Sequence, residues 1–178
     1  MIREQIAERA KAILLETDTY RLPVPVDVVA NRLGLRVEAA PLGKNVSGLL
    51  VLIDELGVIG YNSNHPQVRQ RFTIAHEIGH FILHQGQDSL FIDEKYGAVY
   101  HRNVESSGGE DFREIQANGF AAALLMPKDL VSAELSKSGF DLGDESALVE
   151  LARKFKVSSQ AMAFRLANLD LIGLPDLT

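Results

Sequence analysis

The stretch RFTIAHEIGHFILH, residues 71–84, contains three of the five histidines of the chain. Its apolar residues recur at helical spacing, and Asn64 or His65 is available as an N-terminal cap before Pro66. The pattern therefore predicts a helix from Pro66 to about His84. At about 100° per residue, His76 and His80 share one sector of this helix and the apolar residues face the other way. We expect a helix with an apolar back in the core and a front that carries imidazoles.

His76 and His80 lie one helical turn apart, and Glu77 directly follows the first of them. Two imidazoles at positions i and i+4 can bind one zinc ion at about 2.0–2.1 Å, while the adjacent glutamate is held over the water on the metal. Zinc lowers the pKa of that water toward about 7, and the glutamate takes its proton during attack on a carbonyl. The pattern predicts a zinc site with Glu77 as base. The alternative is that both histidines are ordinary polar residues of a helix face.

A site with two histidines needs a third ligand. Because the chain has no cysteine, that ligand must be a carboxylate or a further histidine. His84 lies eight residues from His76, about 12 Å along a helix axis, so these two cannot share one metal ion. The run FREIQANGFAAALLMP, residues 112–127, is rich in alanine and leucine and predicts a second helix that Pro127 ends.

Glu114 and Asn118 are four residues apart and share a face of this second helix. The spacing lets Glu114 bind the zinc ion while Asn118 hydrogen-bonds a ligand and orients it. An alternative stays open on spacing alone. Asp111 and Glu114 also have the spacing of a capping box, in which Glu114 only closes the N-terminus of the helix.

Two blocks of sequence resemble the ImmA/IrrE-type zinc metallopeptidases. They are FTIAHEIGHFILH, residues 72–84, and EIQANGFAAALLMP, residues 114–127, in that order. Some relatives have a glutamate where Gln116 stands, and here only Glu114 offers a carboxylate. The resemblance implies three zinc ligands, His76, His80 and Glu114, and one catalytic base, Glu77.

The resemblance also implies a function. Members of this family typically pair with a helix-turn-helix repressor and relieve repression, in several cases by cleaving the repressor. We therefore predict a zinc-dependent endopeptidase that cleaves or inactivates a separately encoded repressor of this type, since the chain has no room for such a domain upstream of the protease region. The alternative is a regulatory module that docks to its repressor without cutting it and uses the metal site for structure or sensing.

The first third of the chain is predicted to form two helices and a small sheet. Apolar residues at helical spacing favour helices over residues 2–16 and about 25–33, and Gly34 stands where a left-handed residue would end the second one. A hairpin turn at residues 54–57 separates the last two of three short apolar segments. These predicted strands are 35–39, 48–53 and 58–61.

The predicted fold class is α+β. We expect a mostly helical single domain, residues 1–178, with a small β-sheet packed on the active-site helix and a zincin-like metal centre. The metal-site core is assigned to residues 65–136 and a C-terminal helical pair to residues 144–170. The pair has the outline of a DNA-reading motif, but residues 144–178 carry four basic and five acidic side chains, which does not suit phosphate binding. A packing or substrate-docking role is therefore favoured, without direct contact to nucleic acid.

The composition supports the same conclusions. The chain has 18 lysine and arginine residues against 24 acidic residues, a net charge of −6, and no basic block, which disfavours nonspecific nucleic-acid binding. The absence of cysteine excludes a disulfide framework, thiolate zinc ligands and a cysteine nucleophile. The charged N-terminal segment and the absence of long apolar runs predict no signal peptide and no membrane span, and hence a cytoplasmic protein.

One catalytic role has no assigned residue, namely the donor that stabilises the oxyanion of the tetrahedral intermediate. Four residues between the two sequence blocks have suitable side chains, and ordinary loop roles remain the alternative for each. They are Tyr96, Tyr100, His101 and Arg113.

Overall fold

The computed structural model describes residues 2–43, 45–53, 56–84, 90–93, 110–137 and 145–171. Within these ranges the helices are α1 Ile2–Glu16, α2 Val26–Arg32, α3 Gln67–Leu83, α4 Glu110–Leu125, α5 Lys128–Lys137, α6 Glu145–Phe155 and α7 Ser159–Asn168. The strands are β1 Leu35–Ala40, β2 Gly48–Ile53, β3 Leu56–Asn62 and β4 Leu90–Asp93.

The four strands form one mixed sheet in the order β1-β3-β2-β4. Strand β1 runs parallel to β3, while β2 pairs antiparallel with both β3 and β4. The pairing of Ile53 with Leu56 leaves only two residues for the β2–β3 connection, so the predicted turn over residues 54–57 is too long. Gly57 belongs to β3, where it pairs with Leu52 of β2.

Helix α3 lies at the centre of the molecule. It packs on α4 and α2 and also contacts strands β2 and β3. All residues from Thr73 to His80 are buried. The predicted α+β class, mostly helical with a small sheet on the active-site helix, is confirmed. The division into a core at 65–136 and a helical pair at 144–170 stays a prediction.

The N-terminus of α3 differs from the prediction. Pro66 occupies the N-cap position with ψ 148°, and no side chain caps the helix. Asn64 instead donates its backbone N–H to the side-chain oxygen of Asn62, at 3.1 Å. The side chain of Gln70 donates to the carbonyl oxygen of His65, at 2.7 Å. Proline is tolerated at the start of α3 because its ring fixes φ and because the N–H that it lacks would have no intrahelical partner there.

Helices α6 and α7 lie within residues 144–170, the segment for which a helical pair is predicted. The side chain of Ser158 caps α7 by accepting from the backbone N–H of Ala161, at 3.1 Å. Arg165 is buried, and its Nε donates to the carbonyl oxygen of Met126 just after α4, at 2.9 Å. Burial lowers the pKa of Arg165 to about 10. One of the four basic residues of this segment therefore binds protein backbone inside the fold.

Two described elements, β4 and α5, were not predicted from sequence. Strand β4 has only four residues, too few for an alternating pattern to stand out. Helix α5 begins directly after Pro127, which in the sequence predicts only the end of the preceding helix. In the part of the chain that the structure describes, none of the helices has the length and apolar character needed to cross a bilayer.

Candidate metal centre

Helices α3 and α4 bring three predicted ligands together. The Nε2 atom of His76 lies 3.2 Å from Oε2 of Glu114, and Nε2 of His80 lies 3.1 Å from Oε1 of the same carboxylate. The two Nε2 atoms are 2.9 Å apart. The imidazole rings meet edge to face, with centroids 4.5 Å apart. Two nitrogens and one carboxylate thus converge on a single point.

The donor set fits a metal ion. Ligand atoms at about 2.0–2.1 Å from a tetrahedral zinc ion lie about 3.3 Å from one another. The separations of 2.9, 3.1 and 3.2 Å among these side chains are close to that value. Two histidines and one carboxylate also form a known catalytic zinc set, in which a fourth position is left for water or substrate. His76, His80 and Glu114 therefore form a group that can hold a divalent metal ion.

The charge state of Glu114 suits this role. Partial burial acts to raise the pKa of Glu114, but its hydrogen bonds and charge interactions with His76 and His80 outweigh burial and hold the pKa well below the usual value. The carboxyl group is therefore ionised at neutral pH, as a metal ligand must be. Its side chain is 48% exposed, whereas both imidazoles are buried. Access to the group is from the Glu114 side.

The capping-box alternative for Glu114 is not what the structure shows. Helix α4 begins at Glu110, which places Asp111 within the helix and not at its N-cap. The carboxylate of Glu114 contacts the two imidazoles of α3 instead.

Asn118 contacts His76 as its spacing suggested. The side-chain oxygen of Asn118 lies 3.1 Å from Nδ1 of His76. Since an amide oxygen can only accept, Nδ1 carries the hydrogen and donates it. In the neutral ring that metal binding requires, this tautomer has its lone pair on Nε2, one of the converging atoms.

Glu77 lies on the side of α3 that strand β2 covers. It is fully buried and stands apart from the group of three ligand atoms. A Cβ atom added at Gly48 would lie 3.1 Å from Oε1 of Glu77 and 2.3 Å from Cγ2 of Thr73. Gly48 thus lets the sheet approach the predicted base. Sequence reasoning missed this position, although a glycine in a strand pattern is a signal of close backbone approach.

His84 is buried at the C-terminal end of α3. Its ring centroid lies 5.5 Å from that of His80, and its Nε2 lies 3.4 Å from the carbonyl oxygen of Arg113. Burial lowers the pKa of His84, and the contact with the Arg113 carbonyl partly offsets this effect. As the spacing along the helix predicted, His84 is not part of the group of converging ligand atoms.

Of the four candidates for the oxyanion donor, the structure describes only Arg113. Tyr96, Tyr100 and His101 lie outside the described residues. Arg113 is described, and its backbone faces His84. The donor therefore stays unassigned.

The profile of the IrrE N-terminal-like domain matches residues 30–167, a range that includes α3, α4 and all three converging side chains. The chain belongs to this family. The match extends from helix α2 to helix α7, so it covers the sheet, the candidate metal centre and the C-terminal helical pair.

Proteins from Deinococcus and from a Bacillus phage are similar to this chain in sequence. The radiation response metalloprotease IrrE of Deinococcus deserti is 40% identical over 111 residues, which cover 62% of this chain and 36% of that protein. The protein of the same name from Deinococcus radiodurans is 38% identical over 114 residues, covering 64% and 32%. The uncharacterized immunity region protein 2 of Bacillus phage phi105 is 32% identical over 83 residues, covering 47% and 46%. The chain thus spans about a third of the length of the two Deinococcus relatives.

A solved structure shares the fold. A transcriptional regulator of Mycobacterium tuberculosis superposes with a TM-score of 0.56, at 18% sequence identity. The superposition covers 93% of this chain and 51% of the regulator. At this identity the similarity shows the architecture alone.

Proposed function

We propose that this IrrE-like domain is a zinc-dependent endopeptidase. His76, His80 and Glu114 would hold the zinc ion, and Glu77 would be the catalytic base. The observation that carries the proposal is the convergence of two imidazole nitrogens and one carboxylate within 3.2 Å of each other. Membership of the family supports it, since two relatives bear the name metalloprotease.

A bound zinc ion supplies Lewis-acid activation of water and of a substrate carbonyl. The residues of the chain do the rest. Glu77 accepts the proton of the attacking water on a carboxylate oxygen and delivers it to the leaving amine. Asn118 accepts from Nδ1 of His76, which keeps the Nε2 lone pair directed at the metal position.

The substrate is proposed to be a protein, namely a separately encoded helix-turn-helix repressor in the cytoplasm. The support for this step is the resemblance of the two sequence blocks to the ImmA/IrrE-type enzymes. The competing proposal is a regulatory module that docks to the same repressor without cutting it. Both proposals use the same metal ligands, and they differ in what they require of Glu77.

The metal content of the purified protein tests the ligand assignment. We expect one zinc ion per chain in the wild type and loss of zinc in His80→Ala and Glu114→Ala, because each variant removes one of three protein ligands. Elemental analysis measures this directly, with the exposed Glu150→Ala in α6 as the matched control. A wild-type protein that fails to take up added zinc would exclude the proposed enzyme.

Glu77→Gln separates the enzyme from the docking module. The variant keeps the size of the side chain but cannot accept a proton, so we expect peptide-bond cleavage to be lost while zinc content and repressor binding stay at wild-type values. Incubation of the candidate repressor with wild type and variant, followed by electrophoresis, measures cleavage. Full regulatory activity of Glu77→Gln would favour the docking module.

A further inference from the structure

His84 has no part in the proposed mechanism, although it lies one helical turn after His80. Its side chain is only 6% exposed, and its Nδ1 and Nε2 atoms do not join the three converging ligand atoms. A buried imidazole is costly unless its polar atoms find partners. The partners of His84 therefore indicate why a histidine stands at this position.

The hydrogen-bonding atom of His84 faces helix α4. Its Nε2 lies 3.4 Å from the backbone carbonyl oxygen of Arg113, the residue that directly precedes Glu114. A carbonyl oxygen only accepts, so Nε2 is the donor in this contact. The same ring tilts by 50° against that of His80, with centroids 5.5 Å apart. One side chain thus touches the ring of one proposed ligand and the backbone next to another.

The location of Glu114 gives this contact its importance. Glu114 is the fifth residue of α4, directly after the four residues whose N–H groups lack intrahelical partners and close to the end at which helices fray. Its carboxylate must nevertheless stay within about 3 Å of imidazoles on another helix to share a metal ion with them. The hydrogen bond from His84, the C-cap residue of α3, to the carbonyl of Arg113 links the end of α3 to the start of α4.

We propose that His84 is a positioning residue of the metal site, which holds the start of α4 so that Glu114 stays at ligand distance from His76 and His80. This inference rests on the proposed function, because it assumes that these three side chains bind zinc. His84 acts through the Arg113 backbone and is not itself a ligand.

The test compares His84→Phe with His84→Gln. Phenylalanine fills a similar volume but has no donor, whereas the side-chain amide of glutamine can place an N–H near the position of Nε2. We expect zinc affinity to fall about 10-fold or more in His84→Phe, the loss typical of removing a group that orients a ligand, and to recover in His84→Gln. Competition with a chromophoric zinc chelator gives the affinities, and urea unfolding of the metal-free proteins gives their stabilities.

The outcomes are distinct. Equal zinc affinity in wild type and His84→Phe would overturn the positioning role, and so would equal losses in both variants. A wild-type protein that binds no zinc would overturn the proposed function as well, which separates the two failures.

If His84→Phe does not fold, His84→Asn takes its place, because its shorter amide does not reach the Arg113 carbonyl. Recovery in His84→Gln relative to His84→Asn then supports the proposal, and equal affinities overturn it.

Discussion

At the scale of single residues, the predicted polar front of α3 is inside the protein. His76 and Glu77 are fully buried and His80 is 3% exposed. Charged and polar side chains are rarely buried unless they are paired or bind metal. Here the two imidazoles meet the carboxylate of Glu114, and Nδ1 of His76 meets Asn118. The two buried imidazoles of α3 are therefore accommodated by partners on α4.

Asn118 provides a prediction at this scale. Asn118→Ala removes the acceptor of the His76 Nδ1 hydrogen, so the imidazole loses its fixed tautomer and orientation. We expect zinc affinity to fall about 10- to 100-fold. Asn118→Asp keeps an acceptor at the same place and is expected to retain most of the affinity. Isothermal titration with zinc measures both, and the exposed Asn168→Ala in α7 is the control. Unchanged affinity in Asn118→Ala would contradict the orienting role.

At the scale of elements, a glycine sets the distance between the two helices of the site. A Cβ atom added at Gly79 would lie 3.1 Å from both the Cα and the carbonyl oxygen of Ala117. These are backbone atoms of α4, which cannot move aside without moving the helix. The backbones of α3 and α4 therefore approach closely because Gly79 has no side chain. This approach brings Glu114 on α4 to the imidazoles on α3.

Alanine substitutions at Gly79 and Gly119 should have opposite effects. Gly79→Ala forces α3 and α4 apart, and we expect it to lower the free energy of unfolding by about 1–3 kcal/mol, the usual cost of overpacking. The site of a Cβ at Gly119 is open, with nothing within 4 Å, so Gly119→Ala should raise stability by about 0.5–1 kcal/mol through helix propensity. Chemical denaturation measures both. A neutral Gly79→Ala would show that the helices can separate freely.

At the scale of the whole molecule, the metal site depends on segments far apart in sequence. The proposed ligands come from α3 and α4, and side chains outside the site hold these helices in the fold. Arg71 of α3 donates to the carbonyl oxygens of Val24 and Lys156, at 2.8 and 3.2 Å. Arg165 of α7 donates to Met126 after α4. The N-terminal and C-terminal parts of the chain thus support the two helices that carry the site.

Zinc should accordingly stabilise the whole fold. A metal that binds only the native state raises the free energy of unfolding by about 2.7 kcal/mol when its free concentration is 100 times the Kd. We expect urea unfolding of the metal-free protein to shift to higher urea on addition of zinc. The same titration of Glu114→Ala should show little shift. Equal shifts in both proteins would indicate that zinc binds elsewhere.

The sequence alone determined the part of the site that lies on one helix. His76, Glu77 and His80 follow one another within a single turn, and the 3.6-residue period of the helix places the two imidazoles on one face wherever that helix packs. The apolar spacing likewise predicted α1, because an amphipathic helix of this length repeats its pattern over enough residues to be recognised. The spacing of Glu114 suited a zinc ligand and a helix cap equally, and the resemblance favoured the ligand.

Only the tertiary structure decided what lies next to that helix. Four contacts join segments that are far apart in the sequence and that no local pattern relates. Glu114 and Asn118 contact the imidazoles, Gly48 packs against Glu77, and His84 contacts the backbone of Arg113. The parallel pairing of β1 with β3 is of the same kind. The physical reason is that local sequence governs backbone conformation and the face a residue occupies, whereas distances between elements follow from how their surfaces pack together.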